Sequence, residues 1–154
     1  YCVGFGISSL VMELMQLRLV VLSRKAVLLR RGSLSLWEQV RAVKPGDVVL
    51  VCELPSYAVE VTEYVELAHK NGAKVVTITD SAAAPVCRSA DLSFFVSANS
   101  PTFGSSTIGP IFLVHVLSSA LALALGADAK KSFDEQAQFL HDERIFHPIF
   151  GLKY

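Results

Sequence analysis

An excess of positive charge is missing from this sequence, because 14 lysines and arginines are balanced by 14 aspartates and glutamates. Zero formal net charge argues against a free-standing nucleic-acid binder, which usually carries a basic excess. Charged residues make up 18% of the chain and hydrophobic residues 52%, which argues against intrinsic disorder. The 154 residues suit one domain with a real core. One local basic group is interpreted as a solvated rim: Arg24, Lys25, Arg30 and Arg31.

Cysteine is scarce, and the three cysteines show no CxxC or other metal-type spacing. Cys2 and Cys52 lie in apolar strand-like segments, where thiols usually serve as inert fillers. No cysteine has a nearby histidine or another activating motif. We therefore expect no cysteine nucleophile, and a reducing, cytoplasmic compartment is the simplest interpretation.

Signatures of several enzyme classes are missing as well. There is no G-x-S-x-G elbow, no Ser-His-Asp triad that can be ordered, and no lysine in a phosphate-binding loop. Gly4 and Gly6 lack the third glycine of a dinucleotide fingerprint, since Ser9 takes its place, so a tight strand–helix turn is favoured. His141 and His147 match no helical ligand pair, and a polar tail explains them better than a metal site. No cofactor, metal or catalytic residue is expected.

The start of the chain shows no basic region or small-residue cleavage site of a signal peptide. It begins at Tyr1 with strand character and no preceding cap, so we expect another segment to come first in a longer protein. Residues 108–125 are almost wholly apolar and near the length of a membrane span, yet include Pro110 and His115. We expect a buried helix that covers the sheet or a partner subunit, and no membrane contact.

Apolar strand patterns alternate with helical patterns along the chain. The predicted strands are residues 1–5, 26–30, 47–52, 74–79 and 92–96. Alternation of this kind predicts a parallel sheet that is covered by helices on both faces. The more polar segment 127–154 carries spaced aromatics, and we expect a helical tail that packs on the domain or on a dimer partner.

Ligands of such sheets bind at the carboxyl ends of the strands, near the point where the strand order reverses. That rule selects four loops rich in hydroxyls and small residues: 4–9, 52–57, 79–84 and 97–106. Backbone N–H groups at the starts of the following helices are able to hold an anion. The serines in these loops also suit simple helix caps, and capping alone explains each one taken singly.

Several stretches resemble the SIS (sugar isomerase) domain. GFGISS at 4–9 opens a helix after a strand, KPGDVVLV follows at 44–51, and AHKNGAKVVTITDS at 68–81 resembles that family's helix–strand–loop. The resemblance covers roughly residues 1–125 and is strongest over 46–96. The run SST at 105–107, before a long apolar helix, is similar to the SIS domains of RpiR-type transcriptional regulators.

The resemblance implies a flavodoxin-like α/β three-layer sandwich with a five-stranded parallel sheet of order 2-1-3-4-5. It implies a SIS domain over 1–126, preceded by a helix-turn-helix domain that would contact DNA. SIS domains commonly bind phosphosugars at the switch point between the first and third strands, and many dimerise. A homodimer and a sugar or sugar-phosphate ligand are therefore the expected partners.

The sequence departs from the family pattern after the third strand. Many SIS domains carry Ser-x-Ser-Gly-x-Thr there, whereas this chain has ELPSYA at 53–58. Pro55 has no amide to donate, and Glu53 places a negative charge where a phosphate would lie. Three possibilities stay open: a sugar or sugar acid donates its hydroxyls to Glu53, a phosphate is held by Ser8, Ser9 and nearby amides, or the site is degenerate.

The sequence thus predicts the effector-binding domain of an RpiR-like regulator, which is not an enzyme. The alternatives are an aldose–ketose phosphosugar isomerase with Glu53 as base, and a ligand-free dimerisation module. The predicted ligand-binding residues are Gly6, Ser8, Ser9, Glu53, Ser56, Tyr57, Ser81, Ser105 and Ser106.

Overall fold

One parallel sheet organises the part of the chain that the computed structural model describes, residues 1–143 and 145. Its strands follow the spatial order β2-β1-β3-β4-β5, which confirms the predicted fold class. The strand order reverses between β1 and β3, so the loops after these two strands meet at one edge. The strands are β1 (Cys2–Gly4), β2 (Leu28–Leu29), β3 (Val48–Cys52), β4 (Lys74–Thr79) and β5 (Leu92–Phe95).

Helices cover both faces of the sheet and make the three layers of the fold. On one face the second and third helices pack with a 3-10 turn at Pro85–Ser89, and on the other the first and fourth helices pack, with the fifth against both. The helices are α1 (Ile7–Val21), α2 (Leu36–Val40), α3 (Val59–Lys70), α4 (Ile108–Leu125) and α5 (Ala127–Asp142).

Local sequence signals explain where several elements begin and end. Ser35 caps α2 through a reciprocal capping box with Glu38, which satisfies amides that the short helix would otherwise leave unpaired. Gly72 follows α3 with a φ of +89°, a backbone conformation that favours glycine. The continuous apolar run of β3 suits the centre of a parallel sheet, where both faces are covered.

Two apolar clusters fill the space between the sheet and the two helical layers. Val49, Val51 and Val75 anchor the cluster under α2 and α3, together with the buried face of α3. Cys2 and Cys52 lie fully buried in the other cluster, under α1 and α4. Burial raises the pKa of these thiols to about 11 and about 12, so both stay protonated and act as packing groups.

Helix α4 is far more exposed than the sequence suggests. Within the described residues it is the one helix long and apolar enough to cross a membrane by length and composition, with mean hydropathy 2.1. Val114 packs fully into the core, but Ile108, Phe112 and Leu123 are 79%, 66% and 83% exposed. The expectation that this helix is buried is therefore wrong for most of its length within this chain, because its apolar character runs around the whole helix.

The segment after α4 contains one further helix, α5, which runs to Asp142 and packs against α1 and α4. His147 and the other residues beyond 145 lie outside the described residues, so the predicted tail is seen only in its first part.

Candidate functional site

The loops after β1 and β3 face each other across a hollow of about 210 Å³ at the carboxyl edge of the sheet. A molecule of liquid water occupies about 30 Å³, so the hollow has room for roughly seven waters. The glycine loop and the ELPSYA stretch, far apart in sequence, thus share one cavity. The lining residues are Phe5, Gly6, Ile7, Ser8, Glu53, Leu54, Pro55, Ser56 and Ala58.

Two glycines shape the wall that comes from β1. A Cβ on Gly4 would lie 2.6 Å from the Ser8 carbonyl oxygen, so only glycine lets the first turn of α1 pack this closely on the strand end. Gly6 has a φ of +56° and stands at the N-cap of α1, where the chain turns from strand to helix. The tight strand–helix turn predicted from these glycines is therefore what the structure shows.

Glu53 is the polar centre of the opposite wall. It follows β3 directly and is 3% exposed, and its Oε1 accepts a hydrogen bond of 2.7 Å from the Ala58 amide at the start of α3. Its Oε2 is buried and has no hydrogen-bond partner. Burial raises the pKa of this carboxyl to about 7, although the Ala58 amide pulls it in the opposite direction. Glu53 is thus a buried acceptor with one vacant oxygen in a ligand-sized hollow.

Ser56 lies at the outer part of the same loop and is exposed. Its φ of +79° places a non-glycine residue in the left-handed region, which side chains rarely adopt. Strain of this kind concentrates at ligand sites and turns, where the surrounding structure fixes the backbone. The loop therefore holds Ser56 beside the hollow in a conformation that its own sequence does not favour.

Ser8 and Ser9 lie in the first turn of α1, one step inside the helix, so neither is the cap that the sequence allows. Their amides donate to the carbonyls of Phe5 and Gly6 at 3.1 Å each, and Ser9 Oγ donates to Gly6 at 2.7 Å. Ser8 lines the hollow but is 3% exposed and lies beside the Cys52 thiol. These donors are already engaged inside the turn.

Tyr57 points away from this hollow toward a second one. Its hydroxyl donates to Asp80 Oδ1 at 2.8 Å, which ties the β3 loop to the β4 loop. Asp80 and residues 95–99 line an open hollow of about 370 Å³ beyond the ends of β4 and β5. Ser81 follows Asp80 and accepts a 3.1 Å hydrogen bond from the Ala83 amide, which stabilises a turn.

Ser105 and Ser106 precede α4 and line neither hollow. The Ser106 amide donates to the Ala98 carbonyl at 2.9 Å, and its Oγ accepts from the Ile108 amide at 3.4 Å. The structure thus gathers Gly6, Ser8, Glu53 and Ser56 around one hollow. Ser9, Tyr57, Ser81, Ser105 and Ser106 surround that hollow or its neighbour without lining the first.

The described histidines lie away from Glu53. His69 is at the end of α3, 3.9 Å from Asp91 at the amino edge of the sheet, and His115 contacts Arg18 at 2.9 Å. His141 pairs with Asp142 on α5. No group of three metal-ligating side chains occurs within residues 1–143 and 145. Glu53 therefore has no second titratable side chain in the hollow.

Sequence reasoning missed two residues of this site. Phe5 lines the hollow, and the Arg31 guanidinium lies 4.5 Å from the Phe5 ring centroid. Arg31 comes two residues after β2, which pairs with β1 and ends at the same edge of the sheet. The signal was available in the strand order 2-1-3, since the loop after the second strand must neighbour the loop after the first.

A parallel sheet of order 2-1-3-4-5 with an open hollow at its switch point defines a flavodoxin-like ligand-binding domain. Residues 1–125 match the SIS domain family model, and the chain belongs to that family. Among curated proteins no significant sequence match was found.

Solved structures of regulators and of sugar-phosphate binders share the fold. The sugar isomerase domain of an RpiR transcription factor from Sphaerobacter thermophilus aligns with a TM-score of 0.83 at 22% identity, over 89% of this chain and 76% of that one. NanR of Vibrio vulnificus, complexed with ManNAc-6P, aligns at 0.79 with 26% identity, over 92% of this chain and 54% of NanR. The c3406 protein of E. coli CFT073, in complex with arabinose 5-phosphate, aligns at 0.64 and 20% identity, over 86% and 70%.

Proposed function

We propose that this chain is the effector-binding domain of an RpiR-like transcriptional regulator, and that a sugar or sugar phosphate binds in the hollow between β1 and β3. Membership of the SIS family and the likeness to an RpiR factor and to NanR support the class of protein. The ligands named for NanR and for the E. coli protein, ManNAc-6P and arabinose 5-phosphate, support the class of ligand.

The vacant Oε2 of Glu53 is the observation that carries the ligand proposal. A buried polar atom without a partner is costly, and native proteins retain few of them. A sugar hydroxyl that donates to Oε2 removes that cost and stabilises the ionised carboxyl. Among the three possibilities left open by the sequence, the engaged donors of Ser8 and Ser9 favour a hydroxyl bound by Glu53 over a phosphate bound by that turn.

The size and lining of the hollow fit a small ligand. Pockets for drug-sized molecules measure about 300–1,000 Å³, so about 210 Å³ suits a molecule the size of one monosaccharide. Phe5, Ile7 and Leu54 supply apolar surface against which the C–H face of a sugar ring packs. Only a few polar groups then fix the orientation of the ring.

Regulation is proposed to pass through a homodimer to a DNA-binding domain that precedes residue 1, in the cytoplasm. The exposed apolar face of α4, with Ile108 and Phe112, suits a contact with a second copy. The effector must favour one dimer arrangement over the other to act as a switch. Sedimentation equilibrium tests this contact with Phe112→Asp, and Phe103→Asp in the exposed loop is the matched control.

A thermal-shift titration tests the ligand site directly. ManNAc-6P, arabinose 5-phosphate and their unphosphorylated parents are the probes, and binding raises the melting temperature as RT ln(1 + [L]/Kd). We expect Glu53→Gln to weaken binding about tenfold or more, because Gln presents an N–H group where the ligand needs an acceptor. Asp91→Asn, at the opposite edge, is the control and leaves the affinity unchanged. Equal affinity of the Glu53 variant and the wild type would contradict this site.

An aldose–ketose isomerase is the second candidate, because a carboxyl with a pKa near 7 is well matched to general base catalysis at neutral pH. Against it stands the absence of a second titratable side chain in the lining of the hollow. The same probes distinguish the two functions, since an isomerase converts the aldose phosphate to the ketose and a sensor only binds it. A structural dimerisation module does neither.

A further inference from the structure

Arg31 stands at the mouth of the hollow, although it is not part of its lining. It follows β2 by two residues, and β2 runs parallel to β1 with Val3 beside Leu29. The loops after β2, β1 and β3 therefore converge at one edge of the sheet. Arg31 is the basic side chain that this convergence brings onto Phe5, a wall of the hollow.

Two contacts fix the Arg31 side chain between the walls. Its guanidinium lies over the Phe5 ring at 4.5 Å, a cation–π geometry. Its Nε donates to Glu60 Oε2 at 2.6 Å, and its Nη2 donates to the same oxygen. Glu60 is in the first turn of α3, whose N-cap Ala58 lines the hollow. Arg31 thus bridges the β1 loop and the β3–α3 junction.

The pair between Arg31 and Glu60 is open to exchange. The Arg31 side chain is 60% exposed, and exposed ion pairs contribute little to stability because water screens them. An incoming phosphate presents more acceptor oxygens and more charge than one carboxylate, and a guanidinium matches its geometry. Replacing Glu60 by a ligand phosphate therefore costs the fold little.

The rest of the site offers an anion no comparable partner. The lining contains no lysine or arginine, Pro55 has no amide to donate, and the Ser8 and Ser9 amides are engaged. Glu53 repels an anion whenever it is ionised. A ligand that carries both hydroxyls and a phosphate must therefore place the phosphate away from Glu53.

We infer that Arg31 binds the anionic group of the ligand by exchanging Glu60 for it, while a ligand hydroxyl donates to Glu53. This assignment rests on the proposed function, and it deepens it by naming the ligand class as a sugar with a phosphate at one end. Arg31 is then a specificity-determining residue that selects phosphorylated sugars over neutral ones.

Side-chain NMR of arginine-labelled protein tests the anion site with inorganic phosphate as the probe. Phosphate is expected to shift the Arg31 Nε–H resonance saturably and to leave that of Arg30 unchanged. Arg30 is the matched control, since it is 58% exposed and also pairs with a carboxylate, that of Glu13. Arg31→Gln is expected to weaken phosphate binding about tenfold or more, and Glu60→Gln to strengthen it up to about fivefold, because the competing carboxylate is gone.

Equal response of Arg30 and Arg31 to phosphate, or none from either, overturns the inference. A second arm separates this result from the proposed function by comparing glucose, gluconate and glucose 6-phosphate with ManNAc-6P and arabinose 5-phosphate. If a neutral sugar binds through Glu53 and Arg31→Gln changes nothing, the sensor proposal stands and the anion site falls. If phosphate shifts Arg31 alone while no sugar binds, the anion site stands and the sensor proposal falls.

Discussion

Glu53 and Asp91 are two carboxylates at opposite edges of the same sheet, and their surroundings differ sharply. Asp91 precedes β5 at the amino edge, where Oδ1 accepts from Lys74 Nζ at 2.7 Å and Oδ2 from the Val75 amide at 2.8 Å. Glu53 follows β3 at the carboxyl edge, where the Ala58 amide is the partner of one oxygen and the other oxygen has none. Both oxygens of Asp91 are therefore satisfied, whereas Glu53 keeps one vacant.

The electrostatic consequences have opposite signs. The Lys74 ammonium and then the Val75 amide hold the pKa of Asp91 below its usual range. Burial raises the pKa of Glu53 to about 7. Asp91 joins two neighbouring strands and serves the fold, whereas Glu53 weakens the fold at neutral pH. A group that the fold does not need in its charged form is a good candidate for function.

The largest effect that tests this contrast is the pH dependence of stability. Between pH 4.5 and pH 7 the unfolded chain has released the Glu53 proton while the folded chain keeps it, so stability falls as pH rises through this window. The loss is on the order of 3 kcal/mol at most. Glu53→Gln keeps an acceptor for the Ala58 amide and removes the titration. We expect urea unfolding to show that the variant does not lose this stability from pH 5 to pH 8.

Asp91→Asn supplies the opposite arm of that experiment. The lowered pKa of Asp91 means that its contribution is present above its ordinary pKa and is lost as pH falls through the acid range. The variant is therefore expected to be less stable than the wild type at neutral pH and to approach it in acid. The same pH slope in both variants would show that the two carboxylates are not distinct.

A smaller effect is expected in the affinity for the ligand. A hydroxyl that donates to Glu53 Oε2 favours the ionised carboxyl, so binding releases a proton below the pKa of about 7. Cys52 and Tyr57, the neighbouring titratable groups, have pKa values raised to about 12 and do not titrate in this range. Affinity is expected to rise up to about tenfold per pH unit between pH 5 and pH 7, and then to level off.

Calorimetry in two buffers of different ionisation enthalpy measures that released proton, with ManNAc-6P or arabinose 5-phosphate as the titrant and Glu53→Gln as the control. The phosphate of these probes also titrates near pH 6, so the quantity of interest is the difference between wild type and variant. A wild type that releases no more protons than the variant would place the ligand away from Glu53.

The sheet was predictable from the sequence because buried parallel strands are continuous apolar runs, and β3 and β4 are the longest of them. The strand order came from resemblance, not from periodicity. Exposure of α4 was not predictable, because an apolar helix reads the same whether its own chain or a second copy covers it.

The site was predictable in position but not in chemistry. Strand ends named the two loops that form the hollow, since the topological rule is geometric. The vacancy on Glu53 depends on which amide reaches it, and the engagement of Ser8 and Ser9 depends on the first turn of α1. Neither contact has a sequence pattern. Arg31 was assigned to a solvated rim, because contact with Phe5 appears only once β2 is placed beside β1.

The smallest expected effect concerns the loop that holds Glu53 in place. Ser56 and Ser23 both have positive φ, 79° and 53°, but only Ser56 lines the hollow. Glycine relieves the left-handed strain at either position, so each Ser→Gly change is expected to alter the free energy of unfolding by about 1 kcal/mol or less, in the stabilising direction. Only Ser56→Gly also frees the loop, so it alone is expected to weaken ligand binding, by a few-fold at most. Equal effects on binding would mean that the strained turn serves the fold and not the hollow, and Glu53 would then be positioned by the Ala58 amide without help from Ser56.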